Sequence, residues 1–237
     1  VDGNRWGLGR FRGGALIRGG CADRPCLALT FDDGPDHNTT PFVLDELDRH
    51  HTRATFFVTG HRMDGDGEVA RRNRDTLRDT WRRGHLVGNH TYNHDLLDTM
   101  DEATLSSELD RTSTLIQRTL GEATYLFRAP FGALHHPRAV RAVYSRGLTP
   151  VFWEIDTRDW AVQSPEEVVA NFRSGLDASP RGGVVLFHDT LARTARALPL
   201  VFAEIEARNT ARRAAGLPLY ELVGLDELWQ PLRGDPA

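Results

Sequence analysis

The sequence predicts an α/β fold built on a mainly parallel sheet or barrel. From Cys26 onward, short apolar runs alternate with amphipathic stretches, the succession expected of repeated strand and helix units. No hairpin signal such as Asn-Gly lies between apolar runs, so neighbouring strands are expected to be joined by crossovers and to run parallel. A length of 237 residues suits one large core, and neither an internal repeat nor a linker divides it. One domain is therefore expected over residues 21–237, preceded by an arm over residues 1–20.

The elements follow in chain order. Residues 1–20 are rich in Gly and Arg with little periodicity and read as an irregular arm over the surface. Cys21 and Cys26 stand in a C-x4-C arrangement without the second pair that a structural zinc site needs, leaving a local disulfide or two free thiols. Leu27–Phe31 reads as a buried strand, and Phe42–Arg49 as a helix after the start signal Thr39-Thr40-Pro41. Ala54–Val58 is the next strand. The stretch Asp64-Gly65-Asp66-Gly67 leading into Arg71–Asp75 reads as a solvated loop entering an exposed helix, because it lacks the further ligands of a calcium loop. Leu86–Gly88 is a strand, and Asp101–Leu120 a helix with Leu105, Leu109, Leu115, Ile116 and Leu120 at mostly helical spacing, stopped by Gly121. Tyr125–Phe127, Pro150–Ile155 and Val184–Phe187 complete the buried strands, with a helix capped at Ser164-Pro165-Glu166-Glu167 before the last of them.

Lys and Arg total 29 against 33 Asp and Glu, and the charges are scattered. This argues against a nucleic-acid partner. No stretch approaches the ~20 apolar residues of a membrane-spanning helix. The chain starts at Val1 without a charged and then apolar leader, which leaves open whether a targeting segment was removed.

In parallel α/β folds, functional groups gather past the carboxyl ends of the strands, and the unusual residues fall there. The predicted strands run into Asp32-Asp33-Gly34-Pro35, Asn89-His90-Thr91-Tyr92-Asn93-His94, Arg128-Ala129-Pro130-Phe131-Gly132, Asp156-Thr157-Arg158-Asp159-Trp160 and His188-Asp189. Each fragment alone has a structural explanation, as a turn, a cap or a core histidine; their conjunction at one end of the strands does not. On an extended segment, Asp32 and Asp33 would point to opposite sides, so that one binds a metal and the other faces the reacting centre. His90 and His94, at i and i+4, can share one helical face. Two imidazoles and one carboxylate fill three positions of a borderline metal and leave the fourth open, the ligand count of a catalytic site. The pentapeptide His90–His94 lacks the Glu of H-E-x-x-H, which disfavours a zinc peptidase.

The five segments Thr30-Phe31-Asp32-Asp33-Gly34-Pro35, His90-Thr91-Tyr92-Asn93-His94, Arg128-Ala129-Pro130-Phe131-Gly132, Asp156-Thr157-Arg158-Asp159-Trp160 and Leu186-Phe187-His188, in this order, resemble the motifs of the polysaccharide deacetylases with a NodB homology domain, carbohydrate esterase family 4. The likeness spans residues 26–190, and the run Leu217–Val223 is similar to the family's last strand. It implies a distorted (β/α) barrel of about seven parallel strands. It further implies that Asp33, His90 and His94 hold one divalent ion, most simply zinc, with cobalt or another divalent ion as alternatives. By the same resemblance, Asp32 is the general base oriented by Arg128, and His188 is the general acid whose pKa Asp159 raises. The Phe131 N–H then helps to bind the oxyanion, and Trp160 and Leu186 line a pocket for the acetyl methyl. The implied substrate is an acetylated polysaccharide of the chitin, peptidoglycan or acetyl-xylan kind, acted on by a monomer that is secreted or associated with the cell wall. The C-x4-C before the first motif is similar to that of secreted members, which favours a Cys21–Cys26 disulfide. Ala129, Arg158 and a long loop around Asp64 depart from the family pattern and bear on substrate choice. Competing readings are a non-catalytic carbohydrate-binding module on the same fold and a small-molecule amidohydrolase with a closed pocket.

Overall fold

The computed structural model describes residue 12 and residues 16–228. Eight strands, all paired in parallel, form one sheet: β1 (Cys26–Asp32), β2 (Thr55–Val58), β3 (Leu86–Asn89), β4 (Leu126–Phe127), β5 (Thr149–Pro150), β6 (Ile155–Asp156), β7 (Gly182–His188) and β8 (Glu221–Leu222). Seven of them follow the order β5-β4-β3-β2-β1-β7-β6. The eighth pairs with Cys26 and Leu27 of β1, while β2 pairs with Thr30–Asp32. The α-helices are α1 (Thr40–Arg49), α2 (Glu68–Arg82), α3 (Glu102–Leu120), α4 (Pro137–Ser145), α5 (Pro165–Ala178), α6 (Ala192–Ala214) and α7 (Leu225–Leu228).

The two-residue period of a strand decides what each face carries. Leu27, Leu29 and Phe31 of β1 point outward into a core shared with Val43, Leu44, Val168, Phe172 and Val201 of the surrounding helices. Cys26 and Ala28 point inward with Phe57, Leu86, Leu126 and Val184. Continuing that inner parity leads to Thr30 and Asp32 on β1, His90 after β3, Arg128 after β4, and Leu186 and His188 on β7. The functional residues are thus the upper continuation of the inner core.

The sheet must curl. Seven strands spaced about 4.8 Å apart would set the edges of a flat sheet ~29 Å apart, yet β5 and β6 are joined through residues 151–154, a reach of at most ~18 Å between Pro150 and Ile155. The run Pro150–Ile155, expected as one strand because five of its six residues are apolar, is therefore two strands at opposite edges with a crossing between them. Val151 N donates to Phe127 O at 2.8 Å on one side, and Glu154 N to Val184 O at 3.0 Å on the other. The result is a curled half-barrel, in agreement with a distorted (β/α) barrel of about seven strands.

The expected surface arm takes part in this closure. Most of residues 1–15 fall outside the described residues, but Ile17 is buried and bridges Val151 in parallel. Ile17 N donates to Pro150 O at 2.9 Å, and Phe152 N to Ile17 O at 2.9 Å. Ala15-Leu16-Ile17 is too short an apolar run among Gly and Arg to carry a periodic signal, so the pairing of Ile17 was not legible. Cys21 and Cys26 form a disulfide at the foot of β1.

Local signals set the helix ends. Asp101 caps α3 by accepting from Thr104 N, and Gly121 ends it in the left-handed region at φ 79°. Ser164 and Glu167 form a capping box on α5. The charged stretch around Arg71 is helical as expected, but α2 is not exposed all round: Asn73, Leu77 and Thr80 form a buried stripe.

Candidate active site

Asp32 is 3% exposed and paired with Arg128, itself 1% exposed, at 2.8 Å. Arg128 Nη1 also donates to Thr30 Oγ1 at 2.8 Å and Nε to Val151 O at 3.1 Å, and the guanidinium lies 4.3 Å from the centre of the Phe57 ring. A buried charge survives only when paired and hydrogen-bonded. Here the crossing segment and inner β1 supply the partners, so the curl of the sheet creates the niche that fixes Asp32.

Asp33 departs from the extended geometry expected for it. Its φ of 73° is left-handed, so the chain turns and both carboxylates approach the same imidazole instead of diverging. Asp33 Oδ1 lies 3.5 Å from His90 Nε2 and 3.3 Å from His94 Nε2, and Asp32 Oδ2 lies 3.7 Å from His90 Nε2. His90 and His94 do not lie on a helix either. They belong to the loop after β3, where Thr91 and His94 take φ values of 68° and 65°. One ligand atom from each of Asp33, His90 and His94 lies within 4.8 Å of the others.

The chemistry of this cluster suits a cation. Asp33 Oδ1 is buried without a hydrogen-bond partner, an acceptor left open between two imidazole nitrogens. His90 Nδ1 lies 2.8 Å from Arg128 O, which can only accept; the proton therefore sits on Nδ1 and leaves Nε2 free to ligate. Burial and the neighbouring His90 hold the pKa of His94 below its ordinary value, favouring the neutral ligand. Burial opposes ionisation of Asp33, but the imidazoles of His90, His188 and His94 outweigh it and hold its carboxyl below the usual range.

The loop carrying His94 is held by a residue that the sequence did not flag. Glu108 of α3, 4% exposed, accepts from Tyr92 N at 2.9 Å, Asn93 N at 2.7 Å and Asn93 Nδ2 at 2.7 Å. Asn89 Oδ1 accepts from Thr91 N at 2.8 Å. A Glu inside the apolar stripe between Leu105 and Leu109 was the one available signal.

Across the cavity stands His188, on the last residue of β7. Its Nδ1 lies 2.6 Å from Asp159 Oδ1; Asp159 is fully buried and also accepts from His188 N at 2.7 Å and Thr194 Oγ1 at 2.6 Å. Burial alone would lower the His188 pKa, but the hydrogen bond and charge of Asp159, with Asp32 and Asp33 behind them, push it up to about 9. Asp32 and His188 line one cavity of about 470 Å³ together with the Asp33, His90 and His94 side chains. Phe131, Trp160 and Leu186 line it as well, and so do Asp156, which opens the fourth motif, and Trp153, which the sequence reading did not single out. Phe131 and Gly132 have φ values of 59° and 65°, and a Cβ on Gly132 would come 2.8 Å from the Trp153 ring, so this turn requires glycine. All the residues expected from the motifs are thereby brought to one place.

Comparison with known proteins gives a consistent picture. Residues 19–151 match the family model described as polysaccharide deacetylase. The chain is 33% identical over 164 residues to a peptidoglycan-N-acetylglucosamine deacetylase of Bacillus cereus, covering 69% of this chain and 56% of that protein. It is 34% identical to a chitooligosaccharide deacetylase of Rhizobium leguminosarum bv. trifolii, covering 69% of this chain and 71% of that one. Among solved structures, the Bc1960 peptidoglycan N-acetylglucosamine deacetylase is similar with a TM-score of 0.74 and 26% identity, over 96% of this chain and 98% of that one. The chain thus spans little more than half the length of its B. cereus relative.

Proposed function

The chain belongs to the polysaccharide deacetylase family, and from that premise we propose that it is a divalent-metal-dependent hydrolase that releases acetate from N-acetylglucosamine-containing polysaccharide. Chitooligosaccharide and peptidoglycan are the leading substrates, since relatives bear those names, with O-acetylated xylan as a secondary one. The observation that carries this reading is the opposition of two groups across one cavity: Asp32, held by Arg128, and His188, held by Asp159, with the open acceptor of Asp33 between two imidazoles beside them.

Asp33, His90 and His94 would hold the ion. A divalent cation there supplies Lewis acidity toward an acyl oxygen and acidifies water. Asp32 accepts the proton of the water whose oxygen bonds to the acyl carbon, and Arg128 keeps that carboxylate ionised and aimed. The Phe131 N–H donates to the acyl oxygen as it gains charge. His188 Nε2, free because Asp159 takes Nδ1, delivers a proton to the departing nitrogen as the C–N bond breaks. Trp160 and Leu186 receive the methyl group. The Cys21–Cys26 disulfide supports work in an oxidising place, secreted or at the cell wall, and the chain acts as a monomer.

The test is acetate release from chitooligosaccharides, peptidoglycan and acetyl-xylan by metal-loaded, chelated and reloaded protein. Release should vanish on chelation and return with zinc or cobalt. Full activity in excess chelator, with metal absent by elemental analysis, would overturn the mechanism.

A further inference from the structure

Beside the cavity, between Asp156 and Trp160 that line it, stands Arg158. Its backbone is left-handed at φ 48°, held by donation from its N–H to Asp156 Oδ1 at 2.8 Å. Its exposed guanidinium lies 5.9 Å from the Trp160 ring centre. A second guanidinium, that of Arg193 near the start of α6, is anchored on the same segment through Asp159 O at 2.5 Å and Trp160 O at 3.5 Å. Among the described residues neither arginine has a carboxylate partner. The chain carries a formal charge of -4, so its overall field does not draw anions, and attraction at this rim is local.

We propose that Arg158, assisted by Arg193, forms a subsite for a carboxylate on the glycan next to the residue being deacetylated, and so makes the site selective for carboxylate-bearing over neutral polysaccharide. This rests on the deacetylase reading. Trp160 is 54% exposed and offers an apolar face to a sugar ring. With its guanidinium over that ring, Arg158 offers a planar fork that matches a carboxylate in two-point geometry, which a neutral hydroxyl cannot repay.

The test uses a tetrasaccharide of alternating N-acetylglucosamine and N-acetylmuramic acid, and the same tetrasaccharide with its carboxyl groups reduced to alcohols. Binding by calorimetry and kcat/KM by acetate release are measured on metal-loaded protein. The unreduced form should be favoured about fivefold, the ratio one exposed ion pair supports, and the preference should shrink as salt is raised. Arg158→Ala should bring the ratio to about one while leaving the reduced glycan unaffected, Arg158→Lys should keep part of it, and Arg193→Ala should lower it. Arg213→Ala, at the other end of α6 and ~30 Å away, should leave it unchanged. Equal binding and turnover of both glycans by the native chain overturns the subsite and spares the deacetylase reading, as does an equal loss on both in Arg158→Ala. If neither glycan releases acetate while a chitooligosaccharide does, the deacetylase reading stands and the binding ratio alone decides: an Arg158-dependent preference upholds the subsite, and its absence removes it; if no acetylated glycan releases acetate, the deacetylase reading falls and the subsite falls with it.

Discussion

Asp32 and His188 face one cavity, and their surroundings suit them to the opposite duties proposed for them: a buried guanidinium beside the carboxylate, a buried carboxylate beside the imidazole. Asp32→Asn preserves shape and removes the proton acceptor. We expect kcat to fall roughly 10²- to 10⁴-fold with metal content by elemental analysis unchanged; a loss of metal in parallel would make Asp32 a ligand instead. For His188 the sign is fixed by its raised pKa. The acid form is present below about 9 and is lost above it, so activity should decline on the alkaline side. A cation on Asp33 cancels part of the negative charge that raises this pKa and shifts the decline to lower pH. His188→Ala should abolish that limb and harm N-acetyl substrates more than an activated acetate ester, whose leaving group needs no proton. Equal losses on both would leave His188 a structural role.

At the scale of elements, the site depends on how loops are pinned to helices. Glu108→Ala would remove the acceptor of three donors of the His90–His94 loop, at a cost of about 1–3 kcal/mol in all, since these donors are only partly buried and water can replace some of the bonds. Metal affinity should drop roughly 10- to 100-fold. Calorimetric metal titration beside chemical denaturation checks both; unchanged affinity in a destabilised chain would mean that His94 is placed by other contacts. This support was barely legible in the sequence, whereas β1 and β7 were, because an uninterrupted apolar run ending in ionisable residues has few other readings. The run Pro150–Ile155 misled because composition does not say which partner each residue meets: Val151 bonds to the β4 side and Glu154 to the β7 side. The geometry of Asp33, Thr91 and His94 was hidden as well, since a left-handed turn at a residue other than glycine leaves no mark in the sequence. The structure gathers Asp33, His90 and His94 into one cluster, while their local conformations, expected as strand for Asp33 and helix for the histidines, came out otherwise.

For the molecule as a whole, a cation held by Asp33, His90 and His94 would tie together β1 and the loop after β3, so its binding would belong to the folding equilibrium. At a hundredfold excess over Kd, metal should add about 2.7 kcal/mol, which differential scanning calorimetry should record as a Tm higher by roughly 5–10 °C than in chelator. No shift would mean that the three side chains do not hold an ion in the native state. Reducing Cys21–Cys26, which closes only a short loop, should cost no more than about 2–3 kcal/mol and leave acetate release intact. The strand order has a temporal side too. Five of the seven strands along the sheet, β1 to β5, are contiguous in the sequence and bring Asp32, Asp33, His90, His94 and Arg128 together, while Asp159 and His188 arrive with the two strands that lie beyond β1. During synthesis at about 5–20 residues per second, the proposed ligands of the cation leave the ribosome seconds before the proposed proton donor. The half of the site that would hold the cation is thus made first. In refolding, metal uptake should accordingly precede the return of activity, and simultaneous recovery would show that closure of the barrel gates both.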